Sequence, residues 1–150
     1  MIKTAPALLA GAAALLAVSA PALAGDAMMG EGGRKLSTTL SGAAEVPGPG
    51  DADGTGAFSA RVNPGKNEVC YTLTAEMIDA ATGAHIHKAA VGAAGPVVVA
   101  LDPPADGSSE ACVTVSHEIA MALVKDPQDY YVNVHNAAYP GGAIRGQLAK

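Results

Sequence analysis

From residue 35 onward the chain never keeps one pattern for long, because glycine, proline, asparagine and aspartate interrupt it every few residues. Such punctuation leaves room for short strands and very little helix. Lys35–Leu40 alternates and ends at Ser41-Gly42. Residues 47–56 hold Pro47, Pro49 and glycines at 48, 50, 54 and 56, which makes them a loop. Ala57–Val62 puts Phe58, Ala60 and Val62 on one face, Asn63–Asn67 turns, and Glu68–Ala75 returns, so 57–75 reads as a hairpin. Ala84–Lys88, Pro96–Leu101, Glu110–Val115, Tyr130–Asn136 and Ala143–Leu148 are further strands, the second a valine run of the kind buried strands carry. Only Ser116–Lys125 reads as helical: Ser116 caps it, Ile119, Ala120 and Leu123 share a face, and Asp126-Pro127 stops it. About eight short strands and one short helix predict an all-β, antiparallel sandwich or barrel.

The N-terminus is of a different kind. Met1-Ile2-Lys3 supplies a positive charge, Ala5–Ala20 is uncharged and rich in Ala, Leu and Val, and Ala22-Leu23-Ala24 precedes Gly25. This is the layout of a secretory signal peptide, residues 1–24, with cleavage after Ala24. The run is too short, too alanine-rich and too broken by Pro6 and Pro21 for a spanning helix. The expected address is periplasmic or secreted, with no membrane span after cleavage. Residues 25–35 follow as a flexible, glycine-rich leader; Met28 and Met29 within it are soft copper(I) donors in type. The domain proper is expected over 36–150.

Composition narrows the partners. A formal charge of −5, with no run of Lys or Arg, excludes nucleic acid and anionic membrane surfaces. With no Trp and one Phe there is no aromatic platform for sugars or bases. No Gly-x-Ser-x-Gly elbow and no phosphate-cradling loop ahead of a helix is present. The two cysteines, Cys70 and Cys112, are one disulfide in an oxidising compartment, or else two buried thiols. Strand parity puts Cys70 with Thr72 and Thr74, and Cys112 with Thr114, on the less apolar side of each strand. On neighbouring strands they can bridge, closing a loop of about 40 residues for roughly 3–4 kcal/mol.

The chain has four histidines. His85 and His87 share one face of their strand with Ile86 on the other; Asn133 and His135 share a face while Val132 and Val134 oppose them. If these strands are neighbours, three imidazoles converge as a ligand set for copper or zinc. His117 is the weaker candidate for a fourth ligand, and equally an ordinary residue in the first helical turn. Asp102, Glu118 and Asp129 are the candidate acids to orient the rings. The alternative keeps the histidines as hydrogen-bonding residues under a loop, with Asn133 and Arg145 as partners.

Three stretches carry a family resemblance. Residues 84–99, from Ala84-His85-Ile86-His87-Lys88 to Gly95-Pro96-Val97-Val98-Val99, resemble the central signature of the CHRD (chordin-type) domain family. Residues 130–148, including Val132-Asn133-Val134-His135-Asn136 and Pro140-Gly141-Gly142-Ala143-Ile144-Arg145-Gly146-Gln147-Leu148, are similar to its closing signature, and Leu40–Pro47 to its start. One departure is Asn136, where the family more often has Thr. The family occurs in exported bacterial proteins and as repeats in chordin. The resemblance implies an antiparallel β-sandwich, of the class shared by immunoglobulin-like domains and Cu,Zn superoxide dismutases, and it favours adjacency of the two histidine strands. Three functions stay open. One is a non-enzymatic exported module that binds an extracytoplasmic protein, with copper or zinc on His85, His87 and His135. Another is a copper redox enzyme of dismutase type, which rests on fold analogy alone. The last is an adhesion or matrix module without metal. No catalytic residue is assigned.

Overall fold

The structure is a computed structural model that describes residues 32–150. The expected signal peptide at 1–24 and the expected leader as far as residue 31 lie outside those residues. Eight strands follow: β1 (Arg34–Ser41), β2 (Thr55–Asn63), β3 (Glu68–Glu76), β4 (Ala81–Lys88), β5 (Val97–Leu101), β6 (Ser108–Thr114), β7 (Tyr130–Asn136) and β8 (Ile144–Gln147). One helix, α1 (His117–Lys125), lies between β6 and β7. Each expected strand is present, and the fold is all-β and antiparallel.

The strands run in the order β5-β4-β7-β8-β1-β2-β3-β6. The seam between β8 and β1 is thin: Ser41 pairs with Arg145, and Ser37 bridges to Ala149 just past β8. The seam divides the strands into two four-stranded halves that share a single core. One half supplies Leu36, Leu40, Phe58, Val62, Val69, Tyr71 and Leu73, the other Ala84, Ile86, Val99, Leu101, Val132, Val134 and Ile144. Period-2 alternation places these residues, since every second side chain of a strand faces the same way.

Local chemistry sets the connections. In the β2–β3 turn Asn63 Oδ1 accepts the Lys66 N–H at 3.1 Å, and Asn67 takes a left-handed φ of 55°, which Asn tolerates well. Ser116 Oγ accepts the Ile119 N–H at 3.2 Å and starts α1, which sinks Ala120 and Leu123 into the core. Cys70 and Cys112 face each other across β3 and β6 and are disulfide-bonded, on the outer side that parity indicated. The valine run differs from expectation. β5 is an edge strand, so Val99 and Leu101 are buried while Val97 is 51% exposed.

Candidate metal centre

β4 and β7 are neighbours, with Ile86 opposite Val132 and Ala84 opposite Val134 on the core side. Their other face therefore gathers the polar residues. Across the sheet one row reads His85, Asn133, Arg145; the next reads His87, Tyr131, Gln147; His135 stands opposite Gly83. Gly83 brings no side chain to the face beside the imidazoles.

His85, His87 and His135 each offer a ring nitrogen, and these three atoms lie within 4.8 Å of one another. Backbone carbonyls set the proton positions. His87 Nδ1 is 2.9 Å from Gly95 O, and His135 Nδ1 is 3.1 Å from Pro140 O. A carbonyl oxygen only accepts, so both Nδ1 atoms carry the proton and both Nε2 atoms keep a lone pair. The His135 lone pair faces His85 Nδ1 at 3.1 Å. The His87 lone pair has no partner: its Nε2 is buried and without a hydrogen bond. A buried, unpartnered imidazole nitrogen beside two others is the donor set that a copper or zinc ion takes.

Electrostatics lower the basicity of two of the three rings. Burial lowers the pKa of His85 below the ordinary imidazole value, and the neighbouring His135 and His87 lower it further. Burial lowers that of His135 as well, opposed by the Pro140 carbonyl and assisted by His87.

The orienting groups differ from those expected. None of Asp102, Glu118 and Asp129 orients a ring of the cluster; carbonyls of two loops do so, and the Asp102 N–H instead donates to the Tyr71 hydroxyl at 2.7 Å. His117 also stands apart from the other three. Its Nδ1 donates to Pro64 O at 3.1 Å and lies 3.3 Å from Asn67 Oδ1, which ties it to the β2–β3 turn. Glu68 sits near Cys70 and Cys112, but those sulfurs are bonded to each other.

Two side chains at this site, Tyr131 and Glu45, escaped the reading of the sequence. Tyr131 stacks on His87 with ring centroids 4.8 Å apart, and the Arg145 guanidinium lies 3.4 Å from the Tyr131 centroid. Parity could have found Tyr131, which alternates with Asn133 and His135. Glu45, from the β1–β2 connection, left no local signal. Its carboxyl is pushed up to about 7 by burial, against the Val46 N–H, the Arg145 charge and the Asn133 amide, all of which lower it. Gly142 packs against that carboxyl so closely that a Cβ there would collide with it, and its φ of 140° suits only glycine.

The CHRD domain family model matches residues 36–148. The chain belongs to the CHRD family. No curated protein and no solved structure matches it. Membership supports a binding or interaction role outside the cytoplasm, and the Cys70–Cys112 disulfide agrees with that setting. Among the described residues, no helix is long and apolar enough to cross a membrane.

Proposed function

We propose that this CHRD domain is an exported, non-enzymatic interaction module that holds one copper or zinc ion on His85, His87 and His135. The observation that carries the reading is the trio of ring nitrogens within 4.8 Å of one another, with His87 Nε2 buried and unpartnered. Neutral imidazoles suit both metals, and the lowered basicity of His85 and His135 keeps their lone pairs available at neutral pH. Binding replaces the His85–His135 hydrogen bond, so His85 contributes whichever nitrogen the ion leaves unprotonated. The segment 1–24 directs export to the periplasm or beyond, where the partner is an extracytoplasmic protein or the metal itself.

One observation favours a second reading, an adhesion or interaction module without metal: each imidazole of the cluster already has at least one hydrogen-bond partner. Metal analysis of the purified protein, repeated with His85→Ala and His135→Ala, separates the two. One ion per chain, lost in both variants, supports the metal reading. No metal in the parent, and no stabilisation by added copper or zinc, contradicts it. Bound copper with superoxide turnover moves the protein to the dismutase reading instead.

A further inference from the structure

We infer that Arg145 is a positioning residue for the imidazole cluster: it clamps the β4–β5 loop so that the Gly95 carbonyl fixes the His87 proton on Nδ1 and leaves Nε2 free to ligate. Residues 89–96 read Ala-Ala-Val-Gly-Ala-Ala-Gly-Pro, so no side chain in this loop can hydrogen-bond. Only its backbone can be held: the Lys88 N–H donates to Pro96 O at 3.0 Å and the Ala93 N–H to Ala90 O at 3.1 Å, and the sheet face beneath supplies side-chain holds. Arg145 Nη2 donates to Ala93 O at 2.8 Å and to Ala90 O at 3.3 Å. Gln147 Nε2 donates to Ala89 O at 2.8 Å, and the Gly95 N–H donates to the Tyr131 hydroxyl at 3.3 Å. At the end of the clamped loop the Gly95 carbonyl meets His87 Nδ1. A Cβ at Gly95 would run into the Lys88 carbonyl, so glycine is what lets the loop return this close.

Arg145 suits this task for a physical reason. Its guanidinium stacks over Tyr131 and donates in its own plane to the loop, while Tyr131 stacks in turn on His87. A lysine ammonium is a point charge and cannot stack and fork at once. Arg145 is buried, while its two bonds to the exposed loop residues Ala90 and Ala93 are half-buried. Without Arg145 the 90–93 stretch loses both of its arginine bonds, the loop keeps only its Lys88–Pro96, Gln147 and Tyr131 holds, and the Gly95 carbonyl shifts enough for a neutral His87 to divide its proton between the two ring nitrogens. The tautomer claim is independent of metal, whereas its effect on affinity rests on the proposed function.

The test is imidazole 15N NMR of the metal-free protein, above the imidazole titration range, for the parent and for Arg145→Lys and Arg145→Gln. The parent is expected to show His87 as a single Nδ1–H tautomer. Both variants are expected to show a mixture at His87, with His135 unchanged because Pro140 still holds it. Zinc affinity in the variants is expected to fall about 10–100-fold, the usual effect of removing a group that orients a ligand. An unchanged His87 tautomer in a folded variant overturns the inference. If both arginine variants fail to fold, deleting the exposed turn residues Val91 and Gly92 draws the Ala90 and Ala93 carbonyls away from an intact Arg145 and decides the matter by the same readout: a mixture supports the clamp, and an unchanged tautomer overturns it. If the parent binds no zinc, the metal reading fails alone and the tautomer result still decides this one.

Discussion

The two halves of the sandwich present the same kind of inner face and very different outer ones. In β1-β2-β3-β6 the outer face carries half-buried Ser59, Thr72 and Thr74, and the disulfide with its exposed Cys112. In β5-β4-β7-β8 the matching positions carry His87, Asn133 and Arg145, all buried, with Glu45 buried above them. Loops make the difference. The 89–96 connection and the Pro140 turn fold over the second half, and both hydrogen-bond to its side chains. One half is thus stapled for stability, and the other is roofed to hold polar groups away from water. Polar residues buried in a designed arrangement, at a cost in desolvation, are where binding chemistry concentrates.

The largest test of that division is the staple. Replacing both cysteines by serine reopens a loop spanning 42 residues. The chain-entropy relation puts the loss at about 4 kcal/mol. Denaturant unfolding should show it, while zinc or copper affinity of the folded protein should not change. A matching fall in affinity would mean that the halves are coupled. The next test lies within one strand. Ile86→Ala should cost about 3 kcal/mol, as expected for a core isoleucine, whereas the neighbouring His85→Ala should cost under about 1 kcal/mol. Equal losses would erase the distinction between core and site faces.

Glu45 sharpens the comparison through pH. Its folded-state pKa of about 7 lies above the ordinary 4.5, so the folded protein holds this proton more tightly than the unfolded chain. Stability from this group is therefore fully present below about 4.5 and declines as pH rises to about 7. Glu45→Gln should remove that decline and stabilise the protein by about 1–2 kcal/mol above neutrality, allowing for solvent near the carboxyl. Thermal melts across the range would show it; parallel pH profiles for both proteins would contradict it. The smallest effect belongs to the core: Tyr71→Phe removes the bond from the Asp102 N–H and should cost about 1 kcal/mol, with no change at the imidazoles.

Much of this was legible in the sequence, for a simple reason: a period of two ties sequence to face. Parity alone assigned Ile86, Val132 and Val134 to the core, the histidines to the other face, and both cysteines to the outer side. The edge position of β5 was not legible, because a valine run looks the same whether a strand is central or marginal; only strand order reveals it. The orienting groups were hidden for a deeper reason. The carbonyls of Gly95 and Pro140 are backbone atoms that every residue has, and only the return path of a loop selects them. Acids such as Asp102 attract attention as side chains but had no such path. Glu45 reaches the site from a distant loop, which no local pattern reports.

The most direct test follows all four imidazoles by NMR while zinc is added to the metal-free protein. His117, held at the β2–β3 turn, serves as an internal control. The account predicts that the signals of His85, His87 and His135 change together and are complete at one equivalent, with His117 unmoved. No change, or a change in which His117 shares equally, would contradict it.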